Sequence, residues 1–299
     1  MLMGKSLFHK AQSEGSFYEK GKLRGYYSDL RHKVTGGILV DEKHNIPVNI
    51  TDKGARIFFP IAIFQYGLGA YDLYLETSDN IYMEKFGNSV KWALDNQNEN
   101  GSWDTFDWLL PDAKYSSMAQ AEGTSLLCRA YSEWQDIIYL NAARRAIDFM
   151  LIPVEKGGTT CYGDSGVMTF EERVGRRTIL NGMVFSIWGL YDLTLLVDDS
   201  YYKDMLDQSV EHLCRILPDY DRRFWSDYDL GGNIASKFYH MLHIEQLRVL
   251  YNLFDKNAFL KYIDIWSKYS RSFFCPKQAF IIKAIQKMRV INTESAIVK

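Results

Sequence analysis

Four pairs of helical segments recur along the chain at nearly constant spacing, and this periodicity narrows the fold more than any other feature. "FFPIAIFQYGLGAYDLYL" precedes "IYMEKFGNSVKWALDNQ", and "SMAQAEGTSLLCRAYSEW" precedes "DIIYLNAARRAIDFML". "TILNGMVFSIWGLYDLTLL" precedes "YYKDMLDQSVEHLCRIL", and "FYHMLHIEQLRVLYNLF" precedes "NAFLKYIDIWSKYSRSFF". Ala62, Ala119, Asn181 and Tyr239 hold similar places in the four first members, at steps of 57, 62 and 58 residues. Each first member is rich in small and apolar residues, and each second member is amphipathic. That is the contrast between an inner helix buried on all sides and an outer helix with one wet face. Repeats of this kind bury a continuous core only by packing on their neighbours. The expected fold is therefore all-α: an (α/α) toroid of about four helical hairpins over residues 57–299, with an open solenoid as the second choice. Residues 1–56 are less regular. They are expected to form an N-terminal extension on the cleft end of the toroid, with a short β-hairpin near "GGILVDEKHNIPVNI".

The loops that follow the outer helices are long and rich in Gly, Asp and aromatics: "NENGSWDTFDWLLPDAKY", "EKGGTTCYGDSGVMTFEERVGRR" and "PDYDRRFWSDYDLGGN". Loops of this length are functional or disordered, and their aromatic content argues for function. All three lead into inner helices, so all should emerge at one end of the ring.

Composition excludes several classes. A net charge of −2 with mixed signs provides no basic field for nucleic acid. Cys128, Cys161, Cys214 and Cys275 form no CxxC pair, so no structural zinc is expected, and no cofactor or metal is called for. No signal peptide or membrane span is evident, and a cytoplasmic location is expected. Twenty tyrosines and seven tryptophans give an aromatic share of 15%. Such rings build cores, and they also stack on the apolar faces of sugars lying in a cleft.

The fourth inner segment begins with Tyr239, His240 and His243 inside a turn and a half, three groups that donate or move protons. Tyr239 and His243 are one turn apart and can share a face. A core tyrosine with a satisfied hydroxyl is the structural alternative.

The ordered set "YSSMAQAEGTSLLCRAY", "EERVGRRTILNGMVFSIWGLYDL", "LPDYDRRFWSDYDL" and "YHMLHIEQL" resembles the C-terminal catalytic domain of D-glucuronyl C5-epimerases. "FFPIAIFQYGL" and "NQNENGSW" resemble the segments that precede it. The resemblance runs from about residue 46 to about residue 270. It departs from the animal enzymes in one large way. They carry a β-sandwich region between those last two segments, where this chain has a single helical hairpin.

The resemblance implies inversion of D-glucuronic to L-iduronic acid units in a heparosan-like polymer. Inverting C5 removes a hydrogen α to a carboxylate and returns a proton on the other face. That chemistry needs two proton-handling groups and a partner for the developing enolate-like charge. The catalytic glutamate implied by the resemblance is Glu172 in "FEER", the catalytic tyrosine is Tyr239, and a second active-site tyrosine is Tyr228. Two family positions change: a tyrosine becomes Arg173, and an arginine aligns with Gly231. The substrate carboxylate is then expected to meet Arg173, Arg177 or Arg223. Asn181, Gln120, Trp103, His240 and His243 are further candidates for binding the sugar or tuning Tyr239. The expected partner is a uronic-acid polysaccharide, and pairing into a homodimer is left open. Three other readings stay open: a polysaccharide lyase that abstracts the same hydrogen, a glycoside hydrolase using Asp107 and Glu172, and an inactive carbohydrate-binding homologue.

Overall fold

The computed structural model describes residues 12–51, 54–163 and 168–290. The polypeptide opens with a single helical turn, α1 (His32–Thr35). Two small antiparallel pairs follow: β1 (Val40–Asp41) with β2 (Ile46–Pro47), then β3 (Asn49–Ile50) with β4 (Arg56–Ile57). The hairpin expected near residue 40 is the first of these. Four helical hairpins come next. They are α2 (Pro60–Thr77) with α3 (Asn80–Asp95), α4 (Ser117–Trp134) with α5 (Ile137–Met150), α6 (Leu180–Thr194) with α7 (Ser200–Ile216), and α8 (Lys237–Phe254) with α9 (Asn257–Arg271). A third strand pair, β5 (Thr160–Tyr162) and β6 (Met168–Phe170), stands in the loop before α6, and α10 (Cys275–Val290) follows the last hairpin.

The hairpins are punctuated alike. Ser78, Gln135 and Asp255 end α2, α4 and α8 in the left-handed conformation, which turns the chain back at once. Asp79, Asp136 and Asp199 then cap the outer helices, each side chain accepting from the amide two residues on at 2.9–3.0 Å. Inner helices α2, α4 and α6 are buried all round through most of their length, whereas α8 keeps Lys237 and Met241 exposed. Every residue from Ser117 to Ala130 of α4 and from Leu180 to Leu193 of α6 is buried. The outer helices bury one stripe only, such as Phe259, Tyr262, Ile263 and Trp266 of α9. Small residues let inner helices touch: a Cβ on Gly189 of α6 would stand 2.4 Å from the carbonyl oxygen of Ala121 on α4.

Inner helix α4 packs on α2 and α6, and α6 packs on α8. What bends this row into a toroid is visible in residues 14–31. This one short segment reaches the last third of all four inner helices. Tyr26 N–H donates to Asp72 of α2 at 3.0 Å, and Arg129 of α4 donates to the Gly25 carbonyl at 2.6 Å. Tyr27 donates to Asp192 of α6 at 2.5 Å, and Asn252 of α8 donates to Glu14 at 2.8 Å. Four helices can meet one plug only by converging around it. At its centre Arg129 and Asp192 form a fully buried ion pair at 2.7 Å. Tyr26 and Tyr27 lie beneath the guanidinium, which is 5.2 and 5.5 Å from the two ring centroids.

This plug corrects one expectation. Residues 14–31 lie at the C-terminal ends of the inner helices, opposite the cleft. The reason is polar: Asp72, Arg129 and Asp192 are buried hydrogen-bonding groups inside the ring and need partners there. Residues 40–59 run the other way, toward the start of α2. Residues 1–11 and 52–53 of the expected extension lie outside the described residues. Among the described residues, no helix is long and apolar enough to cross a membrane.

Candidate active site

The loops before α6 and α8 meet at the N-terminal mouth of the ring. In the first, β5 and β6 bring the chain to two consecutive glutamates that part ways. Glu171 turns inward, accepting from Thr178 Oγ1 at 3.0 Å, and its carbonyl holds the Ser117 amide at the start of α4. Glu172 turns to the first turn of α6, where Asn181 Nδ2 donates to its Oε2 at 3.2 Å. Gly182 makes the room: a Cβ there would lie 2.4 Å from Glu172 Oε2 and 2.5 Å from its Cβ. Glu172 keeps some surface open to the cleft, but its carboxyl is crowded by protein atoms. That desolvation pushes its pKa up to about 7, against the opposing pull of Arg173 and the Asn181 hydrogen bond.

The second loop carries Tyr228. Its carbonyl accepts from Leu180 N–H at 3.1 Å, so the loop is stitched to the same first turn of α6 that holds Glu172. Tyr239, at the start of α8, stacks at a tilt against Tyr228 with ring centroids 4.7 Å apart. The two phenols share a hydrogen bond. Burial and the nearby Glu172 carboxylate raise both far above an ordinary tyrosine, so both are neutral. Glu172, Tyr228 and Tyr239 thus converge at one mouth from two loops and two inner helices.

Several other sequence candidates fall elsewhere. Trp103 is fully buried, with its Nε1 donating to the Ala93 carbonyl at 2.9 Å and its ring packed on Phe64. Gln120 is also fully buried, tying Trp103 N–H, the Gly101 carbonyl and the Ala146 carbonyl together. Both are core residues. The histidines do not tune Tyr239. His240 stacks on Trp225 at 3.6 Å, accepts from Ser226 N–H at Nδ1 (3.2 Å) and donates from Nε2 to the Trp266 carbonyl (3.1 Å). That pattern is the neutral Nε2–H tautomer, and burial drops its pKa to about 4. His243 meets the Ser226 hydroxyl at 3.1 Å and is held neutral by burial. Together they anchor Ser226, two residues before Tyr228. The physical reason is geometric: in a helix His240 points about 100° away from Tyr239.

Of the cations, Arg173 lies beside Glu172 with its guanidinium 5.7 Å from the Phe106 ring centroid. Arg177 is exposed and lays its stem over Gly231, where an added Cβ would meet Arg177 Cγ at 3.3 Å. Arg223 is exposed in a left-handed turn, its amide bonded to Asp221. Asn181 gives its Nδ2 to Glu172, while its Oδ1 is buried without a hydrogen-bond partner. Lys283 is absent from the sequence candidates. This α10 residue donates to the Ile234 carbonyl at 2.7 Å and lies 5.7 Å from the Tyr228 ring centroid. It stands beyond the segments that carry the resemblance, and nothing local marks it out.

The fold is an (α/α) toroid, and a carboxyl and two phenols meet at one of its mouths. Residues 97–268 match the family described as D-glucuronyl C5-epimerase C-terminus. The chain belongs to that family. It is 27% identical to the D-glucuronyl C5-epimerase of Caenorhabditis elegans over 61% of this chain and 34% of that protein. It is 30% identical to an uncharacterised protein of Methanocaldococcus jannaschii, over half of each. The chain therefore spans a third to a half of the length of these curated relatives. Among solved structures, an α-1,6-mannanase from Salegentibacter sp. HEL1_6 aligns with a TM-score of 0.48 at 13% identity, covering 76% of each chain.

Proposed function

We propose that the protein is a polysaccharide uronate C5-epimerase that inverts D-glucuronic to L-iduronic acid units in a heparosan-like polymer. The observation that carries this reading is the pairing at one mouth of a carboxyl near pKa 7 with a phenol that stays protonated. At neutral pH about half of the Glu172 carboxyls are ionised and ready to accept a proton. Tyr239 is a neutral O–H and is placed to give one. In the forward direction the C5–H bond breaks, its proton passes to Glu172, and its electron pair delocalises into the uronate carboxylate. Arg173 is the cation that holds this developing charge. The Tyr239 O–H proton then bonds to C5 on the opposite face. Tyr228 donates a hydrogen bond to the tyrosinate left behind, and exchange with water restores both groups. The reverse reaction swaps the roles.

Product analysis tests the reading. The protein, incubated with a glucuronate polymer, should yield iduronate signals by NMR without new chain ends. An unsaturated, ultraviolet-absorbing end would make it a lyase, and a new reducing end would make it a hydrolase.

A further inference from the structure

Beside the catalytic mouth, a recess of about 360 Å³ opens between β4, the end of α3 and the loop after it. Phe58, Trp92 and Trp108 supply its rings above the buried Trp103, and Asn96, Asn98, Asp104 and Asp107 supply its polar groups. Glu172, Tyr228 and Tyr239 are not among its walls. We propose that this recess is a second carbohydrate subsite, which takes a neutral or amino sugar of the same polymer. The polymer's identity rests on the proposed function, but the recess and its ligand class do not.

Three observations carry the proposal. The first is the mixture of rings and short polar side chains. A pyranose has apolar C–H faces and a rim of hydroxyls, and this lining matches both. Phe58 is 40% exposed, so a ring face is available to stack on. The second is the indole of Trp108. Its Nε1–H is buried with no acceptor in the unliganded chain. A buried donor without a partner is costly, and a sugar hydroxyl or ring oxygen would satisfy it. The third is charge. None of the lining residues is Lys or Arg. Asp104 is held by Lys114 at 2.8 Å, while the Asp107 carboxylate is exposed. A uronate or sulfate would meet like charge there. A neutral hexose, an N-acetylhexosamine or a protonated amino sugar would not, and its hydroxyls would donate to the carboxylates.

The recess is also connected to the centre. Arg173, the neighbour of Glu172, lies over the Phe106 ring, and Phe106 lies 5.8 Å from Phe59. These two phenylalanines adjoin Asp107 and Phe58 of the recess in sequence. A chain with its uronate at Glu172 would cross them to place a neighbouring sugar beside Trp108. The recess would then read the sugar next to the uronate and fix the polymer's register.

The test uses a neutral N-acetylglucosamine trisaccharide, which has no C5 carboxylate and cannot be a substrate. Titrated into the intact protein, it should shift the Trp108 indole N–H resonance, and Trp108→Ala should weaken binding at least tenfold. Asp107→Lys should reverse the preference, so that an oligoglucuronate binds in place of the neutral trisaccharide. An unmoved Trp108 indole at millimolar trisaccharide, or unchanged affinity in Trp108→Ala, overturns the subsite. So does tighter binding of oligoglucuronate than of the trisaccharide by the unaltered recess. Trisaccharide binding without any epimerisation would uphold the recess and sink the polymer reading, so the two fail separately.

Discussion

Gly182→Ala is the sharpest single-atom test of how the site is built. The added methyl would sit 2.4 Å from Glu172 Oε2 and 2.5 Å from Glu172 Cβ, where ordinary contacts begin near 3.4 Å. The glutamate must therefore move by about 1 Å, because its Cβ as well as its flexible end is in the way. A displacement of that size in a reacting group costs roughly 100-fold in rate. The stability effect is small by comparison. Removing a helical glycine gains about 0.5–1 kcal/mol, and overpacking costs about 1–3 kcal/mol. The net change of at most about 2.5 kcal/mol moves Tm by several degrees and leaves the fold intact. The assay is the initial rate of C5 epimerisation, with thermal melting alongside. Gly87→Ala is the control, since its added Cβ meets only the Trp134 ring edge at 3.6 Å. A Gly182→Ala rate within twofold of wild type would refute the argument that this glycine exists to seat Glu172.

Four further outcomes follow from the same geometry. Glu172→Gln should stabilise the protein at high pH: a carboxyl raised from 4.5 to about 7 loses up to about 3 kcal/mol on ionising in the folded state. The folded form binds the extra proton between those values, so wild-type stability falls as pH rises through that window. The variant's melting temperature should match wild type near pH 4.5 and exceed it by pH 8. Tyr239→Phe should cost about 10²–10⁴-fold in kcat as the acid is lost, while Tyr228→Phe should cost about tenfold, the worth of one hydrogen bond of about 1.5 kcal/mol. Lys283→Met removes the bond to the Ile234 carbonyl and should lower kcat several-fold with little change in KM, read by steady-state kinetics, because it loosens the loop that carries Tyr228.

Much of the fold was legible because burial is written in residue size. Inner helices that touch at Gly189 and Ala121 must be small and apolar, and outer helices such as α9 need only one stripe. The plug was not legible. Tyr26 and Tyr27 resemble any surface aromatic until Arg129 and Asp192 are known to face inward. Within the site, Glu172, Tyr228 and Tyr239 stood out because they occupy loop ends and a helix start and match residues of a known family. Trp103 and Gln120 misled for the opposite reason. A tryptophan in a Gly- and Asp-rich loop reads as a sugar platform, and only packing against Phe64 and Gly123 reveals a core residue. His240 and His243 are unusual at a helix start, and their bonds to Ser226 make them supports of the Tyr228 loop. The recess at Trp108 is composed of residues from three segments, and no local pattern joins them.

The central claim is that Glu172 and Tyr239 exchange the C5 hydrogen of a uronate with solvent. Incubation of a glucuronate polymer in deuterated water measures this directly. Deuterium is expected at C5 of both glucuronate and iduronate units, with the polymer uncut, and labelling should be lost in both Glu172→Gln and Tyr239→Phe. The two residues work as one apparatus, so the double variant should be little worse than either single one. Full labelling by both single variants would contradict the assignment, and no labelling by wild type across several uronate polymers would contradict the chemistry.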